Sequence, residues 1–149
     1  MKSRKETATA FIMGKRCTAS NFTTDGQEAT SFDTVIAAHV GRAVLIKDVY
    51  TFVYWGERLT GRTRTTERQK AAIIWAAHLA KVPAFVVPNI GIWGEHTHRE
   101  NLKFLRAEAK ECREKAKRAR LEENRIFWAE RAEEKTKTAN RYYKLFLIA

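Results

Sequence analysis

97-THRENLKFLRAEAKECREKAKRAR-120, continued by 121-LEENRIFWAERAEEKTKTANRY-142, is the stretch on which the architecture turns. It contains neither Gly nor Pro, and Ala, Glu, Lys, Arg and Leu dominate it, all strong helix formers. Thr97-His-Arg-Glu100 reads as a capping box at its start. The expectation is a single C-terminal helix of about 45 residues, near 65 Å long, with Glu123-Asn124 as the place for any bend.

Advancing each residue by 100° sorts this helix into three faces. Leu102, Leu105, Ala109, Cys112, Ala116 and Ala119 form a narrow apolar seam at heptad-like spacing. Lys103, Arg106, Lys110, Arg113, Lys117 and Arg120 form a basic stripe beside it, about 26 Å long, which Arg131 and Lys135 prolong. Trp128 falls near the same azimuth, where an indole would stack on a base or on an arginine. Glu100, Glu108, Glu111, Glu114 and Glu122 occupy the other flank, mixed with Lys115 and Arg118. The stripe admits three readings: a contact surface for phosphates, a solvated face held by i to i+4 pairs, or one side of a helix-pairing interface. The aromatic end, Tyr142-Tyr-Lys-Leu-Phe-Leu-Ile148, is expected to fold back on the domain or pack on a partner.

Upstream, residues 7–66 read as short strands, rich in Val, Ile, Thr, Phe and Tyr and punctuated by Gly14, Asp25-Gly26, Gly41, Gly56 and Gly61. Asp25-Gly26 and Gly41-Arg42 are hairpin turns, because both need backbone conformations that Gly tolerates. Val49 to Trp55 alternates as a half-buried strand. Thr66-Glu-Arg-Gln69 resembles a capping box, opening a helix to about Ala80 that is apolar almost all round through residues 71–77 and is therefore expected to be buried, with His78 a core histidine. Pro83 and Pro88 bracket an edge strand at residues 84–87. The fold class is α+β: a small, mainly antiparallel sheet packed on one buried helix, followed by a long charged helix. The expected division is a core domain at residues 1–94 and a helical arm at residues 95–149.

The chain has 149 residues and a formal charge of +11, from 28 Lys and Arg against 17 Asp and Glu. The excess is spread along it: residues 1–66 hold 10 basic and 6 acidic groups, residues 95–149 hold 15 and 10. Such a surface favours polyanions, meaning nucleic acid, a ribonucleoprotein or an acidic protein. No apolar run approaches the roughly 20 residues of a membrane span, nor do residues 10–13 supply a signal peptide's apolar region, so a cytoplasmic protein with no membrane partner is expected. Cys17 and Cys112 stand apart, as reduced thiols.

Arg58, Arg62, Arg64 and Arg68 gather where the sheet meets the first long helix. Arg62 and Arg64, two apart on an expected strand, share a face, and with helix amides nearby they make a candidate anion site. His96 and His98 beside Glu95 are the only hint of a metal site, and two histidines at i to i+2 do not make one. Ser-His-Asp geometry, a phosphate-cradling Gly loop and His-Glu-x-x-His are all missing, so no enzyme activity and no cofactor is expected.

Phe22-Thr-Thr-Asp-Gly26, Thr30-Ser-Phe-Asp-Thr-Val-Ile-Ala37, the Gly41 turn, Tyr50-Thr51 and Thr63-Arg-Thr-Thr-Glu-Arg-Gln69 resemble, in this order, a pattern in small accessory proteins encoded by bacterial viruses. The resemblance covers residues 22–69, under half the chain, and leaves out the long helix. It implies a phage-encoded protein acting in the host cytoplasm, and assigns no activity and no functional residue. The function expected from the residues is a non-enzymatic binding module that presents its basic helix to nucleic acid or a nucleic-acid machine. The alternative is a protein-interaction module that inhibits a host protein through the seam and the aromatic C-terminus, or that forms a homodimer through the long helix.

Overall fold

The computed structural model describes residues 3–91 and 94–148. The chain divides into two compact units, residues 1–91 and 92–149, and the fold is α+β.

The first unit opens with a helix where the sequence suggests strands. α1 (Arg4–Ile12) is capped by Ser3, whose hydroxyl accepts from the Glu6 amide at 3.1 Å while the Glu6 carboxylate accepts from the Ser3 amide. Strands β1 (Cys17–Thr18), β2 (Phe22–Thr24), β3 (Glu28–Ser31), β4 (Thr34–Val40) and β5 (Ala43–Lys47) then run as an antiparallel meander. β8 (Ala84–Val87) adds in parallel beside β5 at the sheet edge, in keeping with Pro88. At the β2–β3 turn the Asp25 carboxylate accepts from the amides of Gln27 and Glu28, both at 2.8 Å, which holds its pKa below the ordinary value. A Cβ on Gly26, whose φ is 97°, would meet the Gly14 carbonyl oxygen at 2.6 Å, so only Gly fits.

One face of this sheet carries Ala29, Ala37, Val44 and Ile46, and it is covered by Ala8, Phe11 and Ile12 of α1 together with Ala72, Ile73, Ala76 and Ala77 of α2 (Arg64–Leu79). The expected single buried helix is therefore a pair. α2 buries one side only; Ile74, Trp75 and Leu79 are exposed, and so is His78, which is not a core histidine. The histidine held against the core is half-buried His39, whose Nε2 donates to the Phe11 carbonyl at 2.6 Å.

α2 also begins one turn earlier than Thr66 suggests. Thr63 is the N-cap and accepts from the Thr66 amide at 3.3 Å, while the Thr66 hydroxyl is buried against Ser31 Oγ at 2.8 Å. Tyr50 pins this start: its hydroxyl accepts from the Thr63 amide at 2.8 Å. Lys70 is buried beneath, its ammonium bonded to Glu67 and to the Asp48 carbonyl and set 5.4 Å from the Tyr50 ring centre.

β6 (Tyr50–Tyr54) and β7 (Glu57–Gly61) form a separate two-stranded ribbon. Tyr50 is buried at its root and Phe52 packs on the core, but the outer residues are exposed.

In the second unit the expected 45-residue helix is two. α3 (Glu95–Arg118) and α4 (Glu122–Phe146) are joined by residues 119–121 and run antiparallel. Asn101 donates to the Tyr142 hydroxyl, Arg113 donates to Thr136 and Lys115 reaches the Trp128 ring, so positions advance along one helix as they recede along the other. The break needs no Gly or Pro, because Ala119 (φ −66°, ψ 130°) and Leu121 (φ −88°, ψ 136°) adopt extended conformations open to any residue. The gain is burial of the seam. Leu102, Leu105, Ala109, Cys112 and Ala116 are all buried, as are Ala132, Ala139 and Tyr142 of α4. α3 starts at Glu95 behind Gly94, whose φ is 95°, and Thr97 is buried without serving as its cap.

Candidate nucleic-acid interface

Packing the seam fixes which residues of α3 face outward. On a helix, residues about 80° from the buried line lie on a flank, and Lys103, Arg106, Lys110, Arg113 and Lys117 all lie on the same one. All five are exposed. From Lys103 to Lys117 the row spans about 21 Å at 1.5 Å per residue.

Ion pairing separates the two flanks. On the far flank Lys115 meets Glu111 at 3.3 Å, Arg118 lies 3.9 Å from Glu114, and Lys135 reaches across from α4 to Glu108 at 3.7 Å. Among the described residues, none of the five stripe cations is paired with a carboxylate. Arg106 lies 5.9 Å from the Tyr143 ring centre and Arg113 Nη1 donates to Thr136 Oγ1 at 3.3 Å, contacts that orient the guanidinium groups without neutralising them. The result is a row of uncompensated positive charge.

Three stripe positions fall elsewhere. Arg120 is exposed but sits in the turn between the helices. Arg131 and Lys135 do not prolong the stripe: α4 runs back, Lys135 joins Glu108 on the acidic flank, and Arg131 covers Phe127 at 5.8 Å. Trp128 is removed from the stripe for the same reason, since Lys115 lies 4.5 Å from its ring centre on the far flank. One helix azimuth carried through a chain reversal puts these residues on the wrong side.

The arginine corner of the first unit also comes apart. Arg62 is not on a strand. Its guanidinium binds the Asp48 carboxylate at 2.8 Å and the Asp48 carbonyl at 3.2 Å and lies 3.6 Å from Glu67, which holds its pKa above the ordinary value. An arginine so engaged is a strut between the β5–β6 loop and α2. Arg64 is the first residue of α2 and Arg58 lies on β7; both are exposed and, among the described residues, without a carboxylate partner.

The histidines part as well. His96 is exposed, whereas His98 is drawn into the open end of the helical hairpin, stacked on Phe146 with ring centres 4.5 Å apart. Its Nδ1 lies 2.8 Å from the Tyr142 hydroxyl, and burial pushes its pKa below 6.5. Tyr142 and Phe146 thus cover the start of α3, so this part of the aromatic C-terminus packs on its own hairpin. Among the described residues no group of three His, Cys, Asp or Glu is placed to hold a metal ion, and no helix is long and apolar enough to cross a membrane. Cys17 and Cys112 are free thiols.

The structure adds an aromatic cluster on the β6–β7 ribbon that sequence patterning does not single out. Val53, Tyr54, Trp55 and Leu59 are exposed there, beside Arg58. In the sequence Trp55 is only the end of an alternating strand. No protein-family model, no curated protein and no solved structure matches the chain.

Proposed function

We propose that this protein is a non-enzymatic binding module whose second unit engages the phosphate backbone of a nucleic acid, alone or within a machine such as a ribosome or polymerase, through Lys103, Arg106, Lys110, Arg113 and Lys117. One observation carries the reading. The opposite flank of the same helical hairpin pairs its cations with glutamates, while this flank leaves five exposed cations unpaired among the described residues. A face that is merely solvated gains by i to i+4 pairing, whereas cations without internal carboxylate partners are free to neutralise phosphates.

Trp128 and Arg62 drop out of this surface, because their side chains are committed to Lys115 and to Asp48. The inhibitor or homodimer reading loses its principal surface, since α4 already occupies the seam. The resemblance in residues 22–69 adds a setting: a phage-encoded accessory protein in the bacterial cytoplasm. The test is the salt dependence of binding to DNA or RNA duplexes, before and after the charges of Lys110, Arg113 and Lys117 are removed.

A further inference from the structure

Two aromatic residues of the first unit occupy positions that neither burial nor backbone preference accounts for. Trp55 has φ 51° and Phe32 has φ 54°. This left-handed region costs a bulky L-residue roughly 1 kcal/mol or more and belongs by preference to Gly, Asn or Asp. Nor is the strain offset by packing, since Trp55 is 87% exposed and Phe32 59%. Trp55-Gly56 forms the tight turn of the β6–β7 ribbon, where Asn-Gly would be easiest. The Phe32 turn lies beside the root of the ribbon, as Thr34 Oγ1 donates to the Thr51 carbonyl at 3.0 Å.

The tip is organised around the indole. Tyr54, 60% exposed, stands perpendicular to it with ring centres 6.1 Å apart, and the indole stays exposed over most of its surface. Arg58 stands directly across the ribbon from Val53, exposed and unpaired among the described residues. Residues 1–91 hold 13 basic against 7 acidic groups. Exposed aromatic rings on a basic unit complement a polyanion that carries flat bases.

We propose that the β6–β7 ribbon is a stacking finger for single-stranded nucleic acid: Trp55 stacks on one unpaired base, Phe32 on another, and Arg58 meets the intervening backbone. The assignment rests on the reading that the protein meets nucleic acid, and it adds that the target has unpaired bases. RNA and DNA share this chemistry, since every base has a π-face.

The variant Trp55→Asn makes the test clean, because Asn suits the left-handed turn position better than Trp does. The folded state should be unharmed or stabilised while the indole is removed. Anisotropy is measured with labelled 20-nucleotide oligo-dT, oligo-U and a mixed-sequence duplex. Expected is a drop of roughly tenfold in single-strand affinity for Trp55→Asn, a similar drop for Phe32→Asn, retention by Trp55→Phe, and less than a twofold change on the duplex. Unchanged single-strand affinity in both Asn variants, with wild type binding both probes, overturns the finger and leaves the α3 surface standing. Wild type that binds neither probe overturns both. Binding to anionic phosphatidylglycerol vesicles that disappears in Trp55→Asn, with oligonucleotide affinity unchanged, assigns the tip to lipid and overturns the proposal.

Discussion

The hydroxyl of Tyr142 lies 2.8 Å from Nδ1 of His98, and the same oxygen accepts from Asn101 Nδ2 at 2.9 Å. Tyr142 and Asn101 are both fully buried, so this polar contact locks the open end of the helical hairpin in a dry setting. Tyr142→Phe keeps the ring and deletes the oxygen. It should destabilise the folded chain by about 1–3 kcal/mol, read from urea denaturation followed by helical circular dichroism. A change below a few tenths of a kcal/mol would mean that the contact contributes nothing.

His98 makes the same hairpin sensitive to acid. Burial holds its native pKa below the ordinary 6.5, so as pH falls the unfolded chain binds the proton before the folded chain does. The stabilisation is therefore fully present above about pH 6.5 and fades as pH drops through the depressed native value. The His98 ring resonance should titrate with a midpoint below 6.5, and His98→Gln should lose less of its thermal stability between pH 7.5 and pH 5 than wild type does. A midpoint at or above 6.5 is the contrary result.

The reversal at residues 119–121 is directly measurable. Spin labels at positions 103 and 144, in a background where Cys17 and Cys112 are replaced by Ala, should show a short distance because both lie at the open end of the hairpin. An unbroken helix would hold them about 60 Å apart. A distribution centred near that longer value would refute the hairpin and restore Trp128 to the stripe side.

Much of the fold is legible where backbone chemistry forces the residue. Asp25-Gly26 and Gly41 announce their turns because the chain there needs positive φ, 97° and 60° at the two glycines. Pro88 announces the sheet edge, and the seam from Leu102 to Ala116 announces a packed face. α1 is hidden because Arg4–Ile12 is only nine residues long and threonines interrupt its apolar positions. The turn at residues 119–121 is hidden because its flanking residues take ordinary extended conformations, which select neither Gly nor Pro. Thr66 draws attention from Thr63 because either threonine satisfies the same capping pattern. The stripe holds for five residues of α3, since a single helix preserves azimuth. Trp128 falls outside it, because azimuth ends where the helix does.

In the proposed function the flank of α3 from Lys103 to Lys117 meets phosphates. Duplex affinity is measured across a range of salt for wild type and for Lys110→Gln/Arg113→Gln/Lys117→Gln. The triple variant should bind more weakly, with a slope of log K against log salt shallower by about 0.9 for each phosphate that is no longer neutralised, or nearly 3 if all three side chains touch phosphate. The same affinity and the same slope in both proteins would contradict it.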